Sequence, residues 1–324
     1  MANPRPRQAT FLNKALWSAA WLSIAGIGLL PAVRLVAVPL VGPVAQEREA
    51  LLDQSWDPGK LYAILSSSNA EAIENLYRAA FAAGRPIIPK LQAALKDDRT
   101  AEFAAQSLAY LGGQEALDLL AKLVDDPRNL DLRRFYYGAL GGSDDPRIIE
   151  ILLNKIRTSD QEPDRTVTQN AILALSISSD PSLVPKLRQA EEKVTDPVIQ
   201  DDINTAAMVI GLRAKYLATP EGKKAGKSVT QAIRTYFMPA LEGPPEGGPP
   251  EATDEHAQVR IINLTFSPDK ARVLAYVNFE TPEAVAHYRL VLQKRQEAWT
   301  LSSVWLGQEI EKTPQPSQQP TEPK

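Results

Sequence analysis

The side chains that could carry chemistry in this chain are few and scattered. There is no cysteine, which removes thiolate nucleophiles, disulfides and zinc–thiolate sites. The two histidines, His256 and His287, stand apart, and neither is followed by glutamate. His287 falls on an alternating stretch and reads as a structural or surface residue rather than a general base. Three aspartate pairs, Asp97-Asp98, Asp144-Asp145 and Asp201-Asp202, could attract a cation. No Asp-x-Asp-x-Asp-Gly loop surrounds them, so they read as helix caps and solvated turns. The run from Gly222 to Ser228 has the composition of a phosphate-binding loop. Its glycines, Gly222 and Gly226, are one residue too close, and no strand precedes them, so nucleotide binding is not expected. No catalytic, metal-binding or cofactor-binding residue, and no cofactor, is therefore expected. Two weaker groups remain. Arg133, Arg134, Tyr136 and Tyr137 form the aromatic–basic cluster, of residue types that concentrate in protein interfaces. The alternative is that its aromatics face a core and its arginines face solvent. Tyr288, Trp299 and Trp305 are the candidate pocket-lining residues, with the two tryptophans six apart and expected on one side of a strand.

These groups have to be positioned by elements that the composition makes mostly helical. The chain has 324 residues, of which 44% are hydrophobic but only 6% aromatic. Helices packed through small and unbranched side chains suit that balance. The net charge of −3 is uneven. Arg5, Arg7, Lys14 and Arg34 give the first 44 residues +4 with no acid, which leaves −7 for the rest. An acidic body lacks the clustered basic face that phosphate backbones require, which argues against a nucleic-acid partner.

Five positions recur with one local recipe: Gly84, Gly112, Gly141, Ser176 and Gly211. Each follows an apolar residue (Ala83, Leu111, Leu140, Leu175, Ile210) and has Ala79, Ser107, Tyr136, Ala171 or Ala206 five places before it. The steps between them are 28, 29, 35 and 35 residues. Spacing of this kind is the mark of a stacked repeat array. Each unit reads as helix, polar turn, helix. The first helices lie in Pro86–Lys96, Gln114–Val124, Pro146–Arg157 and Pro181–Val194, each with an apolar stripe of helical period. The second helices end at the five landmarks. Thr158–Thr166 is a charged insertion, expected to be a solvated loop or to reach a partner.

The openings Ile88-Pro89-Lys90-Leu91 and Val184-Pro185-Lys186-Leu187, the Asp-Asp and Asp-Pro turns and the Ala…Leu-Gly closings resemble the HEAT-repeat family, in the short form of the phycobilisome-lyase-type proteins. The likeness covers about residues 57–213. The Val-Arg pair that often opens the second helix appears only as Leu132-Arg133. The resemblance implies an α-solenoid that binds another protein on its concave face. The iron-binding hydroxylases of that class use His-Glu pairs, which this chain lacks; bilin lyases carry no excluding motif but suit a membrane segment badly.

That segment is Ala15–Val33, an uncharged run of 19 residues, with a second apolar run from Leu35 to Ala45. Residues 15–45 read first as an uncleaved single-pass anchor, with a basic cytoplasmic amino terminus (1–14) and the body on the extracytoplasmic, periplasmic side. A cleaved secretory signal and a buried helix are the alternatives. Residues 46–56 read as a short connecting helix. At the other end, Ser228–Phe237 reads as a helix, residues 239–258 as a disordered Pro/Gly/Glu loop, and residues 311–324 as a disordered tail. Between them the period changes to two. Arg260, Ile262, Leu264 and Phe266; Ala271, Val273, Ala275, Val277 and Phe279; Ala286, Tyr288, Leu290 and Leu292; and Trp299, Leu301, Ser303 and Trp305 each share a face. Four strands with short turns make an antiparallel meander. Lys270–Val277 and the ending Leu292-x-Lys294…Ala298-Trp299-Thr300-Leu301-x-x-Val304 resemble the cystatin-like (NTF2-like) superfamily over about residues 225–310, which implies a curved sheet that can form an apolar pocket.

The expected fold is mainly α: an α-solenoid of helical hairpins, a small carboxyl-terminal α+β domain and an amino-terminal membrane helix. The expected function is a membrane-anchored, non-enzymatic protein-binding scaffold. A ligand-binding or enzymatic site in the carboxyl-terminal domain, and a soluble regulatory adaptor, are the other readings.

Overall fold

The computed structural model describes residues 43–53, 57–124, 126, 130, 132–241, 258–282 and 284–311. Within them lie thirteen α-helices and four strands. Helix α1 (Pro43–Leu52) is followed by α2 (Pro58–Leu65), α3 (Ala70–Ala83), α4 (Ile88–Ala94), α5 (Ala101–Leu111), α6 (Gln114–Ala121) and α7 (Arg133–Ala139). Then come α8 (Pro146–Arg157), α9 (Arg165–Ser176), α10 (Leu183–Glu191), α11 (Pro197–Ala218), α12 (Pro220–Ala225) and α13 (Val229–Leu241). Strands β1 (Gln258–Phe266), β2 (Arg272–Glu280), β3 (Ala284–Arg295) and β4 (Ala298–Glu311) close the chain.

Local chemistry sets the helix starts. Asp57, Asp145 and Asp196 accept a hydrogen bond from a backbone N–H of the first turn, and Pro58, Pro146 and Pro197 follow them at a position where no N–H is needed. Asp164 caps α9 in the same way. Successive helices pair as α4–α5, α6–α7, α8–α9 and α10–α11, and α3, α5, α7, α9 and α11 pack side by side in that order. Five alanines of this row, Ala79, Ala104, Ala105, Ala171 and Ala206, are fully buried. Small side chains let the backbones approach closely.

Polar ties link the α6–α7, α8–α9 and α10–α11 hairpins in succession at sequence separations of 29 to 35 residues. Arg133 Nη2 donates to Glu162 (2.8 Å, 29 residues away), Arg147 Nη2 to Asp118 (3.1 Å, 29 away) and Arg165 Nε to Asp196 (2.8 Å, 31 away). Gln169 Nε2 donates to Asp202 (2.9 Å, 33 away), and Thr195 Oγ1 to Asp160 (2.8 Å, 35 away). Most of the insertion 158–166 faces solvent, but one side chain in it anchors it to the helices. Its Glu162 side chain is 3% exposed and holds both Arg133 and Lys155, the latter at 2.8 Å. Two cations on neighbouring elements pull the segment inward, because neither could be buried there alone.

Three boundaries differ from expectation. Gly211 does not end its helix: α11 runs through it to Ala218, past the expected limit of the array at 213. Pro43–Ala45, taken with the membrane segment, belong to α1, whose Val44 and Leu51 are buried. Helix α13 reaches Leu241, and β1 begins at Gln258, so the expected loop is shorter at its start; residues 242–257 lie outside the described residues, as do 1–42, most of the expected anchor, and 312–324. Among the described residues no helix is long and apolar enough to cross a membrane.

The sheet is an antiparallel meander in the order β1-β2-β3-β4. The β3–β4 turn at Gln296-Glu297 takes two left-handed residues, the geometry that matches strand twist in a tight hairpin. One sheet face packs on α13, where Val229, Ile233 and Phe237 meet Val273, Ala275, Val277, Tyr288, Leu290 and Leu292. The opposite face lies on the helical rows, and its Leu274 and Val291 join the helical core. Bulges redirect two strands. Ile262 is the extra residue of β1, so Val259 and Ile261, rather than Ile262, share the α13 face with Leu264 and Phe266; Ile262 is 49% exposed.

Two substitutions probe the polar ties. Glu162→Ala leaves Arg133 and Lys155 buried without their carboxylate and is expected to lower unfolding free energy by about 3 kcal/mol or more; an unchanged urea midpoint would contradict the tie. Asp202 is 4% exposed, and burial pushes its carboxyl up to about 6, against the hydrogen bond from Gln169. A carboxyl raised above its unfolded value favours the fold at low pH and loses that contribution as pH rises through about 6. Asp202→Asn is therefore expected to be more stable than wild type by about 1–2 kcal/mol near pH 7.5, with the gap closing near pH 4, in denaturation at both values.

Candidate functional site at the helix–sheet junction

Two of the five recurring positions, Gly84 and Gly112, lie against the sheet, and so does Gly142, next to a third. Pro268, in the β1–β2 turn, would stand 3.0 Å from a Cβ at Gly84. At Gly112 (φ +59°) a Cβ would overlap the guanidinium of Arg272, and at Gly142 (φ +67°) it would overlap the backbone of Ser302. Both glycines are left-handed residues just past a helix end, which a side chain tolerates poorly, and both leave the space that the sheet occupies. At the third landmark the left-handed residue is Gly142, one after Gly141.

Arg272 fastens this junction. From β2 it donates through Nη1 to the Leu111 carbonyl at the end of α5 (2.6 Å) and through Nη2 to Ser302 Oγ (2.9 Å). Ser302 Oγ in turn donates to Val291 O (3.1 Å). Arg78 Nε donates to Thr265 Oγ1 (3.1 Å), the Tyr276 hydroxyl to Glu74 O (3.3 Å), and Arg295 to Asp144. On the far side Arg213 gives Nη1 to the carbonyls of Ser176, Ile177 and Ser178 (2.7, 2.8 and 3.0 Å) and lies over the Tyr236 ring of α13. Gly226 O, after α12, accepts from Trp299 N (2.6 Å).

The candidate residues separate on this frame. Tyr136 and Tyr137 are 0% and 1% exposed and belong to the core, because α7 lies between two neighbouring helices of its row. Burial pushes the Tyr136 hydroxyl up to about 12. Arg133 is turned inward to Glu162 and to Val124 O (3.1 Å). Arg134 alone of the four is exposed, its guanidinium over the Phe135 ring. Tyr288 is 3% exposed, with its ring against Phe237, which also stacks on Phe279. Trp299 is on that side, edge-on to Phe266, whereas Trp305 is on the helix-facing side over Gly138. The two tryptophans do not point the same way, because Ser302 is the extra residue of a bulge in β4 and reverses the alternation between them.

Trp305 pairs across the strands with Arg289, a residue that the sequence reading passed over. Arg289 Nη1 donates to Gln106 Oε1 of α5 (3.0 Å), and its guanidinium lies 4.2 Å from the centre of the Tyr77 ring. Gln106 Nε2 donates to Glu102 (3.0 Å). Burial pushes the Glu102 carboxyl up, against the pull of Arg289 and Arg134. His287 Nδ1 shares a hydrogen bond with Asn278 Oδ1 (2.8 Å). The junction thus gathers Arg289, Glu102, Gln106, Trp305 and, nearby, Arg134, with Arg289 and Trp305 half-buried, the Glu102 carboxyl partly shielded from water and Arg134 exposed. Such an arrangement can orient an anionic or planar group. The alternating pattern of β3 marks Arg289 as off the α13 face; nothing in the pattern says that helices cover the other face.

Among the described residues no group of three or more His, Cys, Asp or Glu could hold a metal ion. Gly222, the first glycine of the loop-like run, lies inside α12. In comparisons with known proteins, no protein-family model and no curated protein matches this chain.

Gly142→Ala puts a side chain into the Ser302 backbone and strains a left-handed residue. The expected result is a loss of about 1–3 kcal/mol with faster hydrogen exchange in β4. Unchanged exchange there would show that the contact does not hold the sheet.

Proposed function

We propose that the protein is a non-enzymatic, protein-binding scaffold: a HEAT-like α-solenoid whose carboxyl-terminal cystatin-like domain is built onto it, tethered to a membrane by residues 15–42 with the body on the extracytoplasmic side. The observation that carries this reading is the fusion of the two parts. The sheet is bonded to α3, α5 and the turn after α7, so successive hairpins and the sheet offer one continuous surface. The buried polar groups Glu162, Arg213 and Arg272 are spent on joining elements to one another. The sheet takes the carboxyl ends of α3, α5 and α7, so the partner surface moves to the exposed start of α7, where Arg134 lies over Phe135. An uncleaved tether fits α1, since cleavage before Gln46 would remove the buried Val44 from that helix.

The test is site-specific. The photo-crosslinker p-benzoylphenylalanine is placed at Arg134 in the full chain and, as a control, at Arg188 of α10, whose side chain is 48% exposed. A discrete protein adduct from position 134 in the membrane fraction, absent from 188, is the expected outcome. No adduct from 134 above the uncrosslinked control would overturn the scaffold reading, and release of the chain into the soluble fraction without detergent would overturn the tether.

A further inference from the structure

We infer that a second copy of the chain docks on the outer flank of α11, with the two α11 helices antiparallel about a twofold axis at Met208. The inference goes beyond the scaffold reading and does not rest on it. Helix α11 is the last of the row and packs on α9, α10 and α12. Its Ile199, Ile203, Ala206, Ala207 and Ile210 belong to the helical core. The opposite stripe, at helical spacing, is Asp201, Asn204, Met208, Gly211, Leu212 and Lys215, each exposed or half-buried. Leu212 is 42% exposed. The other end of the row is closed differently. There α1 packs on α3 and has Gln46, Arg48 and Glu49 exposed. The end of a stacked array needs a polar outer face of that kind to stay soluble. At Met208 and Leu212 the flank of α11 is apolar instead.

Gly211 is an independent sign. Glycine inside a helix is unfavourable, and its use is to let another backbone come close. Among the described residues no atom lies within 4 Å of a Cβ placed at Gly211, so no contact within the chain requires this glycine. Charge names the occupant. Asp201 and Lys215 are both exposed, and each stands seven residues from Met208 along the stripe, on opposite sides. In an antiparallel pair centred on Met208, Asp201 of each copy faces Lys215 of the other, and Met208 faces Met208. Leu212 then covers Asn204 of the second copy. The Asn204 amide already donates to Glu191 Oε1 (2.7 Å) and to the Gln200 carbonyl (2.9 Å), so an apolar cover strands no donor there. A parallel pair would set Asp201 against Asp201 and Lys215 against Lys215. The antiparallel contact uses one patch on both copies and closes at two.

The chain has no cysteine, so single introduced cysteines report the contact without background. Met208→Cys, Leu212→Cys and Arg188→Cys are each made in the full-length protein. The last is a control on α10, where the side chain is 48% exposed. The contact is one helix wide, so a dissociation constant of about 10–100 μM is expected, and mild oxidation is followed at about 10 μM protein. The two 208 positions meet across the axis, whereas the two 212 positions stand about 12 Å apart along it. Met208→Cys is expected to form the disulfide-linked dimer about tenfold faster than either of the others. Adding Asp201→Lys to Met208→Cys places lysine against lysine twice and is expected to slow linking about tenfold; adding Lys215→Asp as well restores the rate to within about threefold. A rate at 208 no higher than at 212 or at 188 overturns the proposal. So does a single reversal without effect, as would follow if the copies were joined elsewhere, for example through residues 1–42. The comparison of the three cysteines needs no charge variant, so it decides even if those variants do not fold.

Discussion

The architecture depends on one buried guanidinium reaching a helix end that carries no side chain. Arg272 meets the last carbonyl of α5 only because Gly112 leaves the space beside it. Helix ends hold carbonyls without intrahelical partners, and a cation there satisfies both the hydrogen bond and the negative end of the helix dipole. The same side chain also holds the β4 bulge through Ser302, so a helix, the strand that carries the arginine and a second strand meet at one group. Arg213 repeats the solution at the end of α9, with three carbonyls on one nitrogen.

Much of the helical half was legible in the sequence, for a physical reason. Helical period, Asp-Pro starts and Gly stops are local, and Asp145-Pro146 or Asp196-Pro197 must act within one turn of themselves. Gly211 misled because its recipe fits the packing of α11 on α9, and nothing within the segment says that the helix continues. Glu162 was illegible for the opposite reason. A charged run looks solvated until Arg133 and Lys155 are seen to converge on it. The sheet shows the same division. Strand count, turns and the faces of β2 and β3 follow from alternation, whereas a single extra residue at Ile262 or Ser302 reverses a face without leaving a mark in composition.

The candidate residues follow this pattern. Aromatic–basic clustering singled out residues 133–137, but the helix containing them is covered on two sides, which sends Tyr136 and Tyr137 inward and leaves Arg134 outside. On the α13 face of the sheet Phe237 meets both Phe279 and Tyr288 ring to ring. The polar junction is on the other face, and only tertiary docking brings Arg289 to Gln106, 183 residues earlier in the chain.

That distance has a consequence for how the chain comes to be folded. The bonds that join sheet to helices close loops of 161 residues (Arg272–Leu111), 183 (Arg289–Gln106) and 187 (Arg78–Thr265), whereas the ties between hairpins span 29 to 35. Local hairpins can stack as the polypeptide emerges, since their closure entropy is small. The helix ends at Gly112 and Gly142 must then wait, uncovered, until the last strand has been synthesised. A chain cut short before β4 would have an intact helical half and an exposed patch shaped for a sheet, the kind of surface that invites the sheet of another copy to take its place.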